Sequence, residues 1–284
     1  MGEGLQPGSI LAGRYKVLSE IGRGKLGIVY KVHHAVLDRT VAVKVLFAEV
    51  KATDTAFLRF QREAETASSL NHPCVVKIFD FGIAEGRFPF LVMDYVEGKI
   101  LGNLLREQIR LPREKALPIF IQICDGMAHA HENGIIHRDL KPDNIFLVQK
   151  GVQHEFVQIV DFGIAKKLND KKRKLTGEGQ VLGTPAFMSP EQIMGKDLDA
   201  RSDIYSLGCL MYNVLTGKLP FAGASATEVM ALHLEREPMS FSEACPGLRL
   251  PVGLQYVLRK SLKKEVKERH ASMLELKEEL AAFL

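Results

Sequence analysis

Residues 21–31 read IGRGKLGIVYK, and within them Gly22, Gly24 and Gly27 spell G-x-G-x-x-G. That spelling admits three structures. A dinucleotide-binding turn sets its glycines between a strand and a helix, so that the helix N-terminus can take a pyrophosphate. A loop lying over nucleotide phosphates sits between two strands. A plain hairpin with turn glycines is the third. After Gly27 comes IVYKVHH, a β-branched, alternating run that predicts a strand, and no helix opens there. The context argues against the dinucleotide turn and leaves the other two.

Working outward, residues 15–47 predict three short strands: RYKVLSEIG before the glycines, IVYKVHH after them, and TVAVKVLF beyond the polar turn at Asp38-Arg39. The next stretch, DTAFLRFQREAETASSL, places Phe57, Phe60, Ala64 and Ala67 on one helical face, with Thr53 or Asp54 as the cap. CVVKIFDFG and RFPFLVMDY then predict two strands joined by a turn through Ala84-Glu85-Gly86. From about Glu97 the chain turns mainly helical. ALPIFIQICDGMAHAHENG predicts a long apolar-faced helix ending at Gly134, and SDIYSLGCLMYNVLTG one apolar almost all round and therefore buried. GLQYVLRKSLKKE and ASMLELKEELAAFL predict amphipathic helices at the end.

The 284 residues are 46% apolar and 25% charged, ordinary values for a globular chain with a sizeable core. A net charge of +4 is too mild to argue for nucleic acid. Cys74, Cys124, Cys209 and Cys245 lie far apart with no C-x-x-C, which predicts buried thiols in a reducing compartment. No apolar run approaches the ~20 residues of a membrane span. The start, MGEGLQPGS, has no apolar signal-peptide region, and Gln6 stands where a myristoylation signal wants Ser or Thr. The expectation is a cytoplasmic chain without a membrane segment.

Chemistry concentrates in four places. VAVK closes on Lys44, HRDLKPDN spans His137 to Asn144, DFG stands at 161–163, and GTPAFMSPEQ runs from Gly183 to Gln192. In this order, from about Arg14 to Leu284, the chain resembles the protein-kinase family. SPEQ, RSDIYSLG and LTGKLPF look most like the eukaryotic-like Ser/Thr kinases of bacteria. The resemblance implies an α+β, bilobal protein-kinase fold: an N-terminal extension (1–13), a small antiparallel-sheet N-lobe with one main helix (14–94), and a larger, mainly helical C-lobe (95–284).

The resemblance also implies roles, each with a physical reason. Phosphoryl transfer asks mainly for positioning and charge neutralisation. Lys44 would reach the α- and β-phosphates of ATP with Glu63 as its ion-pair partner, under the loop of Gly22, Gly24 and Gly27. Val29, Ala42 and Phe146 would sandwich the adenine, Met93 would be the gatekeeper, and the backbone of Asp94 and Val96 would bond the adenine edge. Asp139 would orient the substrate hydroxyl as base, and Lys141 would offset charge on the transferred group. Asn144 and Asp161 would supply oxygen ligands for Mg²⁺, or Mn²⁺ in its place. The implied activity is ATP-dependent phosphorylation of Ser/Thr hydroxyls on protein substrates, autophosphorylation included. A pseudokinase, a nucleotide-binding scaffold, is the alternative; that class usually loses the lysine or an aspartate, and all are present here. By the same resemblance Glu191 pairs with Arg269, and Thr176 is the regulatory phosphosite that would neutralise Arg138 and Lys166, with Glu178 as a standing substitute.

DFGIA occurs twice, at 80–84 and at 161–165. Asp161 comes after the catalytic loop, whereas Asp80 precedes it, so Asp80 is expected to be a turn residue on a solvated edge. His129, His131 and His137 suggest zinc at first sight, but residues i and i+2 on a helix face different ways. Three departures from the family pattern stand out: Lys25 and Leu26 at the glycine-loop tip, which would tighten ATP binding or slow ADP release; Ser189 for a commoner Ala; and Phe187 for a commoner Tyr.

Overall fold

In the computed structural model, which describes residues 4–48, 50–51, 54–150, 154–164 and 185–284, alternation along the first strands sets which side chains are covered. On β3 (Gly27–His34) Ile28, Tyr30, Val32 and His34 are buried while the residues between them are half-buried. Its neighbours are β1 (Ile10–Leu11), β2 (Tyr15–Gly24), β4 (Arg39–Leu46), β5 (Ile78–Ala84) and β6 (Phe88–Asp94). They form one antiparallel sheet in the order β1-β2-β3-β4-β6-β5. Two inner strands, β4 and β6, are buried on both faces from Val41 to Leu46 and from Phe88 to Met93. The first hairpin turns through residues 35–38, earlier than the expected Asp38-Arg39 because Arg39 already opens β4, and the second turns at Glu85-Gly86, as expected.

Helix α1 (Thr55–Ser68) buries Phe57, Phe60, Ala64 and Ala67, the face anticipated from spacing. Covering a phenylalanine such as Phe60 contributes about 1.5–3 kcal/mol. Asp54 holds the cap position, but its carboxylate accepts from the Lys51 N–H at 2.7 Å and not from the helix. Two features depart from expectation. Residues before Arg14 join the sheet: the Gly8 N–H donates to the Val17 carbonyl, the Val17 N–H to that of Ser9, and the Leu5 N–H to the Tyr30 hydroxyl at 2.8 Å. Leu5 also packs on the core of Tyr15, Tyr30, Val43 and Val92. Asp80, for its part, is not a turn residue. It lies within β5 beside a bulge, and its carboxylate accepts from Arg14 Nη2 at 2.8 Å and from the Tyr15 hydroxyl. Burial and that carboxylate together push the Tyr15 phenol well above its ordinary value. Partners 65 and 66 residues away are invisible to a local reading.

The sheet and α1 belong to one compact unit; His72–Val75, Gly98–Phe162 and the residues from 185 onward belong to a second. The second unit contains α2 (Leu101–Gln108), α3 (Arg113–Glu132), α4 (Pro190–Met194), α5 (Ala200–Thr216), α6 (Ala226–Glu235), α7 (Phe241–Ala244), α8 (Val252–Ser261) and α9 (Met273–Ala281). Helix α5 is buried through Ser202–Tyr212 and again from Val214 to Thr216, as its all-round apolar character requires. The mainly helical expectation misses a three-stranded sheet in this unit, β7 (Lys99–Ile100), β8 (Ile145–Lys150) and β9 (His154–Ile159). Its period-2 signal is present, since Ile145, Leu147, Val157 and Ile159 are the buried positions. Gly126 lets α3 approach β9, because a Cβ there would press on Cys74 and Ile159. Cys74, Cys124 and Cys209 are buried free thiols. Among the described residues no helix is long and apolar enough to cross a membrane.

Glu191 on α4 and Arg269 form a bidentate pair, Nη1 to Oε1 at 2.7 Å and Nη2 to Oε2 at 2.9 Å. The remaining guanidinium donors go to the carbonyls of Arg201, Lys263 and Lys264, and the Ser202 hydroxyl donates to Glu191 at 2.6 Å. Both residues are buried, so every polar atom of the pair needs a partner and finds one. Burial by itself raises the Glu191 carboxyl, but the Arg269 bonds and charge and the Ser202 hydroxyl outweigh it, leaving the group below its ordinary value. A lowered folded-state value means stability that is present above the ordinary glutamate range and lost as pH falls. Glu191→Ala or Arg269→Ala should each cost roughly 3–5 kcal/mol in urea unfolding at neutral pH. The double variant should cost far less than the sum, and the coupling should shrink on acidification.

Candidate active site

The segment from His137 to Asn144 is held by a carboxylate that arrives from a distant helix. Asp203, fully buried near the start of α5, accepts from the backbone N–H of His137 at 2.8 Å and of Arg138 at 2.9 Å. The His131 ring bonds the same carboxylate at 2.8 Å. Burial would raise the Asp203 carboxyl, but the His131 bond and the neighbouring imidazoles and amides keep it below its ordinary value, so it stays ionised. His137 is fully buried and neutral, its value lowered by burial. Its Nδ1 accepts from the Asp139 N–H at 3.2 Å, so the proton sits on Nε2, which donates to the Val160 carbonyl at 3.1 Å. The ring also packs on Phe162 with centroids 4.7 Å apart.

These bonds force Arg138 to φ +63°, a left-handed conformation that non-glycine residues adopt only when their surroundings over-determine it. Asp139 is the next residue. Lys141 Nζ lies 3.0 Å from Asp139 Oδ2, and the Asn144 amide donates to the Asp139 carbonyl at 2.8 Å and to Oδ2 at 3.2 Å. Both amide donor bonds go to Asp139, so the atom of Asn144 left to serve a cation is its Oδ1. The β8–β9 hairpin brings Asp161 here: Ile145 pairs with Ile159, and the Val160 N–H donates to the Asn144 carbonyl at 3.0 Å. Asp161 comes directly after Val160, itself at φ +63°. Antiparallel pairing thus cancels the sequence distance between Asn144 and Asp161. Phe146 lies on the same β8, half-buried.

In the first unit the glycines join β2 to β3, with Lys25-Leu26 as the turn between the paired Gly24 and Gly27. The strand-to-strand context is as expected. Gly27 has its own reason to be glycine, since a Cβ there would overlap the Val45 carbonyl oxygen. Lys44 pairs with Val29 on one side and Leu91 on the other, and Ala42 pairs with Met93. Directly opposed residues share a face, and residues i and i+2 on one strand do too. Val29, Ala42, Lys44 and Met93 therefore present one surface of the sheet. Lys44 and Met93 are buried and Glu63 is half-buried on α1. Asp94 ends β6, its N–H donating to the Lys77 carbonyl at 3.0 Å, and Val96 lies two residues on.

The three histidines go separate ways. His129 stacks on His72 at 5.4 Å, His131 holds Asp203, and His137 belongs to the loop carrying Asp139. Thr176, Lys166, Glu178, Gly183 and Thr184 lie outside the described residues. Ser189 caps α4 through a capping box with Gln192, and Phe187 offers its carbonyl to the Ser206 hydroxyl at 2.8 Å. Sequence reasoning misses Asp203, although it stands within RSDIYSLG. Its signal is there to read: a carboxylate near the start of an otherwise apolar buried helix must have buried donors.

Comparison with known proteins agrees with this geometry. The family model for the protein kinase domain matches residues 15–280, so the chain belongs to the protein-kinase family. It is 41% identical over 274 residues to the serine/threonine-protein kinase pkn2 of Myxococcus xanthus, covering 96% of this chain and 33% of that one. It is 38% identical to the serine/threonine-protein kinase PknB of Mycobacterium tuberculosis, covering 96% and 43%. The PknI kinase domain of Mycobacterium tuberculosis superposes with TM-score 0.77 at 27% identity, covering 99% of this chain and 100% of that one. The chain spans a third to about half the length of the curated relatives it matches.

Asp203→Asn keeps the shape of the side chain but replaces an acceptor oxygen with a donor that faces backbone N–H groups. Leaving such buried donors unsatisfied costs about 1–3 kcal/mol. The variant should unfold at lower urea concentration, and the amides of His137 and Arg138 should lose hydrogen-exchange protection first.

Proposed function

We propose that this chain is the catalytic domain of a serine/threonine protein kinase that transfers the γ-phosphoryl group of ATP to hydroxyl side chains of protein substrates. One observation carries the reading: Asp139, Lys141 and Asn144 are bonded together, and the β8–β9 hairpin sets Asp161 beside them. Asp139 orients the substrate hydroxyl and accepts its proton as the oxygen attacks phosphorus. Asn144 holds Asp139 by two donor bonds, and Lys141 offsets negative charge on the group in transfer. Lys44, steadied by Glu63, binds the α- and β-phosphates. The backbone loop of Gly22, Gly24 and Gly27 covers them. Val29 and Ala42 take one adenine face, Met93 limits the depth of its pocket, and the Asp94 carbonyl and Val96 N–H meet its edge.

The family uses ATP with a divalent metal. The donor set fits Mg²⁺: the Asn144 Oδ1 and the Asp161 carboxylate are the hard oxygen ligands this ion prefers, and no soft ligand accompanies them among the described residues. Bound there, the ion would neutralise phosphate charge. Ser/Thr rather than Tyr specificity is supported by Lys141 and by the GTP triplet at 183–185, and protein substrates are supported by the kinase names of the relatives.

Asp161→Asn should abolish transfer from radiolabelled ATP to a generic basic protein, whereas Asp80→Asn should keep it within about twofold, its side-chain bonds going to Arg14 and Tyr15. Activity in both variants, or loss in the Asp80 variant alone, overturns the assignment. The same assay separates an active kinase from a nucleotide-binding scaffold.

Thr176 is proposed as the activating phosphosite. It is the one hydroxyl side chain between Ile164 and Gly183, and Arg138 next to the catalytic Asp139 is the cation such a phosphate would neutralise. The added charge is about −1.5 to −2. Thr176→Ala should lower activity several-fold with ATP affinity little changed, by filter binding and a coupled assay. Full activity hands the role to Glu178 or to no residue.

A further inference from the structure

We infer that Gln192 is a positioning residue for the catalytic Asp139, acting through the peptide bond that precedes it. This rests on the proposed kinase activity. Gln192 makes hydrogen bonds of two kinds, local and distant. Its Oε1 accepts from the Ser189 N–H at 2.9 Å, while its own N–H donates to Ser189 Oγ at 3.4 Å; together these complete a capping box on α4. A cap needs nothing more of the side chain. Yet its Nε2 reaches 54 residues back and donates to the Arg138 carbonyl at 3.0 Å.

That carbonyl belongs to the peptide unit joining Arg138 to Asp139. The N–H of the same unit, on Asp139, donates to His137 Nδ1 at 3.2 Å. A peptide unit is planar and rigid, so holding its oxygen and its nitrogen from two directions fixes its rotation. Its rotation sets ψ of Arg138 and φ of Asp139, and hence where the Asp139 side chain leaves the backbone. The preceding N–H, on Arg138, is held by Asp203 Oδ1 at 2.9 Å. Arg138 lies at φ +63°, so without these restraints the segment would relax to a commoner conformation and turn Asp139 away. Of the three restraints, those of His137 and Asp203 come from the loop and from α5. The Gln192 bond comes from α4, directly after the Ser189-Pro190-Glu191 triplet. Ser189, the departure from the family's commoner alanine, is fully buried and supplies the hydroxyl that holds the Gln192 backbone. Through the Gln192 amide alone, the placement of the base is tied to α4, which follows in the chain the segment that carries Thr176.

The test separates the cap from the reach to Arg138. Gln192→Glu retains an acceptor for the Ser189 N–H, since glutamate serves a capping box equally well, but its carboxylate cannot donate to the Arg138 carbonyl. Gln192→Met, similar in length, lacks the donor as well. Ser189→Ala weakens the cap and leaves the Gln192 amide in place. With equal phosphorylation of all proteins checked by mass spectrometry, kcat of both Gln192 variants should fall roughly ten- to a hundredfold, the scale of a small misplacement of a catalytic group. KM for ATP should hold within about twofold, and the Tm of Gln192→Glu should match the parent. Ser189→Ala should lower Tm and keep kcat within about twofold. Parent-like kcat in either folded Gln192 variant, or an equal fall of kcat in Ser189→Ala, overturns the inference. A parent chain that shows no transfer sinks the kinase assignment first.

Discussion

One buried carboxylate sets the terms for the second unit of this chain. Asp203 accepts from two consecutive backbone N–H groups and from the His131 ring. Removing a carboxylate from water is costly, and it persists in an apolar helix only because those donors compensate it. The compensation runs both ways. The same bonds hold His137 and Arg138 in a conformation the backbone would not choose, and Asp139 inherits its position from them. His137 extends the constraint by fixing its tautomer between the Asp139 N–H and the Val160 carbonyl.

A second constraint is the pairing of short strands. Asn144 and Asp161 stand at the two open ends of a hairpin that folds the chain back on itself. Ile145 opposite Ile159 and the bond from Val160 to Asn144 bring these two residues to one end. In the first unit the same logic places Val29, Ala42, Lys44 and Met93 on one face. Val41, Val43 and Val45, offset by one residue, point the other way into the core with Tyr30 and Val32. A one-residue slip of β4 would exchange these sets and lose both at once.

The surroundings of α4 show how charge is tolerated inside. Arg269 distributes its donors over Glu191 and three carbonyls and lies 4.8 Å from the Tyr205 ring centroid. A planar guanidinium meets this many partners where a lysine could not. Ser189 and Gln192 add a cap to the same short helix, which would be marginal if it stood alone.

What sequence alone determined was local and periodic. The glycines between two strands, the covered face of Phe57, Phe60, Ala64 and Ala67, and the buried character of α5 all come from residue type and spacing, because a side chain's direction is dictated by its own backbone. The motifs from Lys44 to Arg269 named candidate residues of the site and, through order alone, separated Asp161 from Asp80. Tertiary structure decided what depends on partners far along the chain. Asp80 became a strand residue bound to Arg14 and Tyr15, and Asp203 and Gln192 became restraints on the backbone before Asp139. Each of these rests on a hydrogen bond between groups more than fifty residues apart. No local pattern encodes such a bond, since its geometry exists only once both segments have folded into place.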